Sequence, residues 1–535
     1  MSGIIVICGA LGALLLGYLV YGRLAVGWFG LSDADPTPAH RRNDGLDYVP
    51  TPLSVLFGHH FASIAGAGPI IGPILAASYG WVGILLWLVL GAIFAGGIHD
   101  MGAIAASTKH EGRSIGEIIK RYVSPAGQKI FLAFAWVTLI LVIAAFDVVV
   151  AKTFIASPEV ATASGLFLIL ALAFGVLRYR MKMPLAPLTL LGLLGLAAAL
   201  WLGFQYPIRL PETTWRYILF IYVFLAAVTP VWALLQPRDY LNAFLLYGLL
   251  FGGLIGLFIK APQIRLPAFT GFQNEYGPLF PLLFVIASCG AISGFHSLVG
   301  SGTTAKQLDK ETHARVIGYG GMLLETVLGL VALMSVAGLS LSAYHQLLKT
   351  KGPIAAFAQG VGGFLTALGL SEKTGVAFAA LAVSAFALTS LDTATRVARF
   401  TLEELTEQTQ AKASRFWATA VSIGAAAALA LTGTWKAIWP LMGTANQLLA
   451  ALALLALTVW LRSIAKKASF VAWPAVFMFA VTLTALVLLF LKNIQAKKPL
   501  LALLSLALLI LAAYLSFSGA RVIAHTPRRS PQRNL

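Results

Sequence analysis

The chain has 535 residues, 59% hydrophobic and only 11% charged, against roughly 25% charged in soluble domains, which excludes a soluble enzyme or signalling domain. Apolar runs of about 20 residues recur from end to end, where a transmembrane barrel would alternate over about ten, so the fold class is all-α polytopic membrane protein. The net charge of +18 sits in short loops between runs, as membrane topology requires, and excludes a nucleic-acid partner; the bilayer is the partner instead.

In chain order, an apolar run from Gly3 to Tyr21 reads as a retained first span, because it lacks a basic leader and a cleavage site. A polar loop follows from Gly22 to Pro50. The next run, about Ser54 to Tyr79, contains FGHHFASIAGAGPIIGP from Phe57 to Pro73. It cannot be one unbroken helix: Gly66, Gly68 and Gly72 cost roughly 1 kcal/mol each against Ala, and Pro69 and Pro73 about 3 each. Backbone groups freed in lipid are tolerated only against protein or a water-filled cavity, so this break predicts a site. Further spans read at about 81–106, 127–153, 163–180, 184–204, 216–236 and 241–261. A second group reads at about 279–300, 314–340, 374–398, 415–432, 436–461, 470–491 and 498–518, about 15 in all. The short Gly-rich run 353–370 reads as a surface or re-entrant helix. Cys8 and Cys289 both lie in apolar runs and read as small core residues.

With the amino terminus outside and the carboxyl terminus in the cytoplasm, 26 of the 38 Lys and Arg fall on the inner side, as the positive-inside rule asks. The largest inner clusters are Lys109, Arg113, Lys120, Arg121 and Lys129, then Arg396, Arg399, Lys412 and Arg415, then Arg521, Arg528, Arg529 and Arg533 of the tail.

A second break stands out at Ala287 to Gln307, ASCGAISGFHSLVGSGTTAKQ, again combining Gly, small hydroxyl residues and an intramembrane His. In this topology it runs opposite to the first. Two discontinuous helices of opposite direction point to an inverted-repeat secondary transporter with its site at the membrane midplane. Asp147 and Lys152, and Asp392, Arg396 and Arg399, end spans at opposite faces, each in the third span when the broken helix is counted as the first and the short run 353–370 is omitted. The chain then divides into 1–53, a first half 54–278 with inserted spans, a second half 279–461, and two flanking spans with a basic tail, 462–535.

FGHHFASIAGAGPIIGP, GGIHDMGAIAASTKHEGRSIGEI (Gly96 to Ile118), SGFHSLVGSGTTAKQL, FALTSLDTATR and WPLMGTANQLLAALAL together closely resemble the carbon starvation protein A family of bacterial peptide and pyruvate transporters. The resemblance extends from about Asp33 to about Leu461. It implies a LeuT-like five-plus-five inverted repeat with extra flanking helices, residence in the bacterial inner membrane, no cofactor, and uptake of a small carboxylated substrate driven by a cation gradient. It also places 353–370 as the extracellular loop helix that closes over the site. Either a monomer or a homodimer is compatible with it.

The unwound backbone expected at Ala65 to Gly68 and at Gly294 to Gly300 leaves amides free to hold a carboxylate. The substrate-site candidates are therefore His59, His60, Ser63, Ala65, Gly66 and Gly68 on the first break and Ser293, Phe295, His296 and Ser297 on the second. His59, His60 and His296 titrate near neutrality and suit either a substrate carboxylate or a coupled proton, although a His can also simply bond a carbonyl across helices. Ion or proton coupling falls to Asp147, Glu325, Asp392 and the hydroxyls Thr389, Ser390 and Thr393. The hydroxyls match LeuT-type sodium positions, yet Ser and Thr are common at membrane helix contacts. His99 and Asp100 read as a relay or a pair near the cytoplasmic interface, and Asn446 and Gln447 as inter-helix hydrogen-bonding groups. Protons are preferred to sodium as the coupling ion. The rival readings are a transition-metal transporter, for which Cys289 is the lone soft ligand at either break, and a membrane enzyme or receptor, for which no nucleotide loop, HExxH motif or soluble domain is present.

Overall fold

The computed structural model describes residues 2–45, 47–229, 234–407, 414–432 and 435–525. Lys412, Arg528, Arg529 and Arg533 of the charge count lie outside the described residues. Helices carry nearly all of the chain, because lipid offers no hydrogen bonds and each spanning segment must satisfy its own backbone. Eleven helices among the described residues are long and apolar enough to cross a membrane, and Leu53–Ile64 with Gly68–Tyr79, bent by 48°, adds a twelfth. The remaining three expected runs are helical at Glu212–Val228, at Leu279–Ile286 with Gly294–Val299, and at Ser414–Thr432, each shorter or interrupted as an apolar run.

The expected polar loop after Tyr21 needs correction at its start. The first helix runs Gly3–Phe29 without a stop, since GRLAVGWF keeps Ala25 and Phe29 buried, and it ends only at Gly30, whose φ of 68° makes a left-handed cap. Beyond it the loop is pinned to the segment before Arg315: Thr312 donates to Asp33 and His40 bonds Asp309 at 2.8 Å.

The first broken helix crosses the second where Gly72 meets its partner. A Cβ on Gly72 would lie 2.7 Å from the Ile286 carbonyl and 2.9 Å from Ala287 Cα, so no larger residue permits the crossing. The long helices Pro125–Ala156 and Glu372–Leu405 pack along one another. On one side Leu341–Thr350 and Gly352–Leu365 cover the first broken helix, and the buried Tyr344 hydroxyl donates to the Ile74 carbonyl at 2.6 Å. A strap closes the same side: Trp81 and Val82 amides donate to Pro267 and Ala268 carbonyls, and a hairpin pairs Gln273–Asn274 with Gly277–Pro278.

Candidate functional site

The first break follows from its Gly and Pro content. The helix Leu53–Ile64 ends, Ala65 turns with φ −74° and ψ 73°, and the Gly66 amide donates back to Ile64 at 2.8 Å, an inverse γ-turn. Gly68 then starts a new helix with Pro69 in its first turn, where the missing N–H costs nothing.

The second break lies earlier than expected. Gly294–Val299 is α-helical and continues as a wider turn through Gly300–Thr304, so the expected unwinding at Gly294 to Gly300 is corrected to the stretch between Ile286 and Gly294. Ser288 starts a turn there by accepting from the Ala291 and Ile292 amides. Side chains satisfy the groups this break frees. Asn446 Oδ1 accepts from the Phe295 amide at 2.9 Å and its Nδ2 donates to Ser293 at 3.0 Å, while Gln447 Nε2 donates to the Phe284 carbonyl at 2.8 Å. Thr326 reaches the Gly290 carbonyl at 3.0 Å.

Between the breaks lies a cavity of about 20 Å³, room for about one water. Ile64, Gly66 and Gly68 line it from the first break, Cys289, Ser293 and Phe295 from the second, Phe146, Ser390 and Asn446 from the sides. A Cβ on Gly68 would come 2.5 Å from Cys289 Sγ, and one on Gly66 would collide with Ser390 Oγ. That hydroxyl is buried and has no hydrogen-bond partner among the described residues.

Beside the cavity runs a buried chain of titratable groups. His99 Nδ1 lies 2.7 Å from Asp100 Oδ1, and Asp100 Oδ2 lies 2.8 Å from His296 Nδ1. His296 Nε2 faces Glu325 Oε2 at 3.3 Å. All four are at most 1% exposed. The chain joins three helices, Gly97–Lys109, Gly294–Val299 and Gly321–Ala337. His296 also faces the Ile64 carbonyl at the first break, and its neighbour Phe295 lines the cavity, so chain and cavity share a wall. The imidazole fills both nitrogens between two carboxylates. Two imidazoles and two carboxylates in contact make the net charge of the group depend on how many protons it holds.

The other expected residues fall differently. His59 and His60 do not line the cavity: His60 is buried with Nδ1 2.7 Å from Thr304 Oγ1, and His59 is half-buried and accepts from Ser63 through its carbonyl at 2.8 Å. Ala65 is buried in the break, and Ser297 bonds the Gly294 carbonyl at 2.7 Å. Thr389 is held by Asn242 Nδ2 at 2.6 Å, and Thr393 is half-buried on the same helix. Asp147 is fully buried, and neither of its carboxylate oxygens has a hydrogen-bond partner among the described residues.

Asp392 belongs to a second ionic cluster. The buried Arg238 pairs with Asp392 through Nη1 and with Asp239 at 2.9 Å through Nη2, and Tyr222 donates to Asp392 at 2.7 Å. Arg396 and Arg399 donate to the carbonyls of Ala226, Thr229 and Ala227 at the end of Glu212–Val228. Sequence reading counted Arg238 among topology charges and missed this role; the signal was an Arg-Asp pair at the mouth of an apolar run.

Broken helices crossing beside a small cavity, with an acid and histidine chain alongside, define a multi-pass helical membrane protein with a LeuT-like fold. The crystal structure of the manganese transporter of Eremococcus coleocola superposes with a TM-score of 0.53, covering 90% of this chain and 99% of that one at 13% identity, a likeness in fold alone. The family model described as carbon starvation protein CstA matches residues 2–351 and 340–485, and the chain belongs to that family. It is 33% identical to the Escherichia coli peptide transporter CstA, covering 88% of this chain and 79% of the relative, and 32% identical to the pyruvate/proton symporter BtsT of the same organism, covering 91% and 81%. The Bacillus subtilis peptide transporter CstA is 32% identical, over 85% of this chain and 84% of its own.

Proposed function

We propose that this chain imports short peptides or pyruvate across the bacterial inner membrane by proton symport, with the amino terminus outside and without a cofactor or an enzymatic step. The relatives named as peptide transporters and as a pyruvate/proton symporter support the substrate class. The observation that carries proton coupling is the buried chain His99, Asp100, His296 and Glu325. An uncompensated charge in the membrane costs several kcal/mol, so the proton content of this chain is tied to which side admits water. Because Phe295 and Ile64 border both chain and cavity, a ligand in the cavity and a proton on the chain bias the same wall.

The substrate carboxylate is assigned to the Ala67 and Gly68 amides that follow the turn, since the Gly66 amide is held by the Ile64 carbonyl. A cavity of about 20 Å³ is too small for even pyruvate, so the described conformation is a closed one and the breaks must separate to admit substrate. Sodium coupling is the second reading, and one observation favours it: the unpartnered Ser390 hydroxyl against Gly66. The transition-metal alternative has no ligand group of three or more His, Cys, Asp or Glu to rest on among the described residues.

Uptake of pyruvate and a dipeptide into proteoliposomes, with an imposed pH gradient and choline replacing sodium, tests the proposal. Accumulation that collapses with a protonophore is expected. Uptake that ignores the protonophore and requires sodium overturns proton coupling and makes Ser390 the coupling group.

A further inference from the structure

The helix that carries Asp100 ends at Lys109, nine residues further on, about 14 Å along its axis. A tight turn follows, then the short helix Ile115–Tyr122, whose Ile115, Ile118 and Ile119 are buried while Lys120 and Arg121 face solvent. The turn is rigidly held. His110 bonds the Ala106 carbonyl through Nδ1 at 2.6 Å, takes the Tyr122 hydroxyl on Nε2 at 2.8 Å, and meets Trp460 edge-on at 5.7 Å. Ser114 caps the short helix by accepting from the Glu117 amide at 3.3 Å.

Over this turn opens a cleft of about 560 Å³, lined by Arg42, Lys109, Arg113 and Arg121 together with Glu111 and Glu117. Its carboxylates are engaged elsewhere: Glu111 pairs with Arg41 at 2.6 Å, and Glu117 takes Lys120 at 3.7 Å and Gln128 at 3.2 Å. Lys109 is spent on Glu311 at 2.7 Å. The guanidiniums are not neutralised in this way. Arg42 lies 4.9 Å from the Tyr48 ring and donates through Nη1 to the Glu111 carbonyl at 3.1 Å, while Arg121 lies 5.7 Å from the Tyr122 ring, and among the described residues neither Arg113 nor Arg121 has a carboxylate partner. Stacking on a ring orients the Arg121 guanidinium while leaving its N–H edge free.

Topology asks only that positive charge lie in this loop. It does not ask that Arg113 and Arg121, without carboxylate partners among the described residues, line one cleft with Arg42 and Lys109, where like charge is a cost that an anion removes. A monocarboxylate would neutralise one of them, whereas a phosphate matches the guanidinium fork and takes bidentate bonds from more than one. We propose that the cleft over the Lys109–Ser114 turn is a binding site for a phosphate-bearing anion, built around Arg113 and Arg121 and separate from the transport cavity.

The test uses the full-length protein and R113Q/R121Q, with monodisperse elution as the check on folding. One arm titrates inorganic pyrophosphate calorimetrically in a zwitterionic detergent at 150 mM NaCl. The other counts phosphatidylglycerol retained from nanodiscs by native mass spectrometry. Pyrophosphate affinity reduced at least tenfold in the variant supports a soluble ligand, and retained lipid lost in the variant supports a headgroup. Should the double variant not fold, R113Q and R121Q singly are each expected to weaken binding at least threefold. No binding in either arm, or binding unchanged by the substitutions, overturns the proposal.

Discussion

Two buried ionic clusters among the described residues differ in what their charges can do. Around Asp392 every cation is an Arg, which stays protonated at any physiological pH, and Arg238 bonds Asp392, Asp239 and Tyr222. The cation there cannot give up its proton, so that cluster is suited to holding helices together. Around Asp100 the cation is an imidazole set between two carboxylates, and the Glu325 oxygens have no hydrogen-bond partner among the described residues. That cluster has at least two accessible charge states. Burial alone therefore does not mark a coupling residue; the chemistry of its partner does.

The largest expected effect comes from unbalancing the fixed cluster. Arg238→Ala leaves Asp392 and Asp239 buried without their cation, which costs about 3–5 kcal/mol and should appear as a large drop in Tm in detergent. The triple variant R238A/D239A/D392A should recover most of that loss; a triple variant no more stable than the single one would show that the three are not a unit.

Next is the switchable cluster, where folding should survive and coupling should not. Glu325→Gln is expected to reduce gradient-driven uptake about 100-fold, roughly 2.7 kcal/mol, with Tm close to wild type and substrate counterflow retained. Full accumulation by this variant would move proton coupling away from Glu325.

A third variant asks whether the cavity and the switchable cluster can be separated. Gly68→Leu crowds Cys289, where even a Cβ stands 2.5 Å from Sγ, so Tm should fall with an overpacking cost of about 1–3 kcal/mol and substrate affinity of the folded variant should fall at least tenfold. Unchanged affinity would place the substrate elsewhere. The smallest effect is expected from Asn446→Ala, which strips the cap from Phe295 and Ser293. A loss of about 1 kcal/mol, read as about 1 °C in Tm for a chain of this length, matches an ordinary helix cap; no shift would show that water replaces the side chain.

By itself the sequence determined the membrane class, the run of helices and both breaks, because hydropathy and the backbone limits of Gly and Pro are local properties that no tertiary contact can hide in lipid. It also singled out His296, Glu325 and Ser390, since polar groups inside apolar runs are conspicuous. It misplaced the second unwound stretch, extending it over Gly294–Val299, because that stretch is rescued by Asn446, Gln447 and Thr326 from distant helices. It left Arg238 among the loop charges and put His60 at the cavity. Only the tertiary structure decided which acid meets an imidazole and which meets an arginine: Asp100 and His296 are 196 residues apart, and Arg238 and Asp392 are 154 apart. Pairing across such distances depends on how helices cross, and helical periodicity carries no information about the partner on the other side.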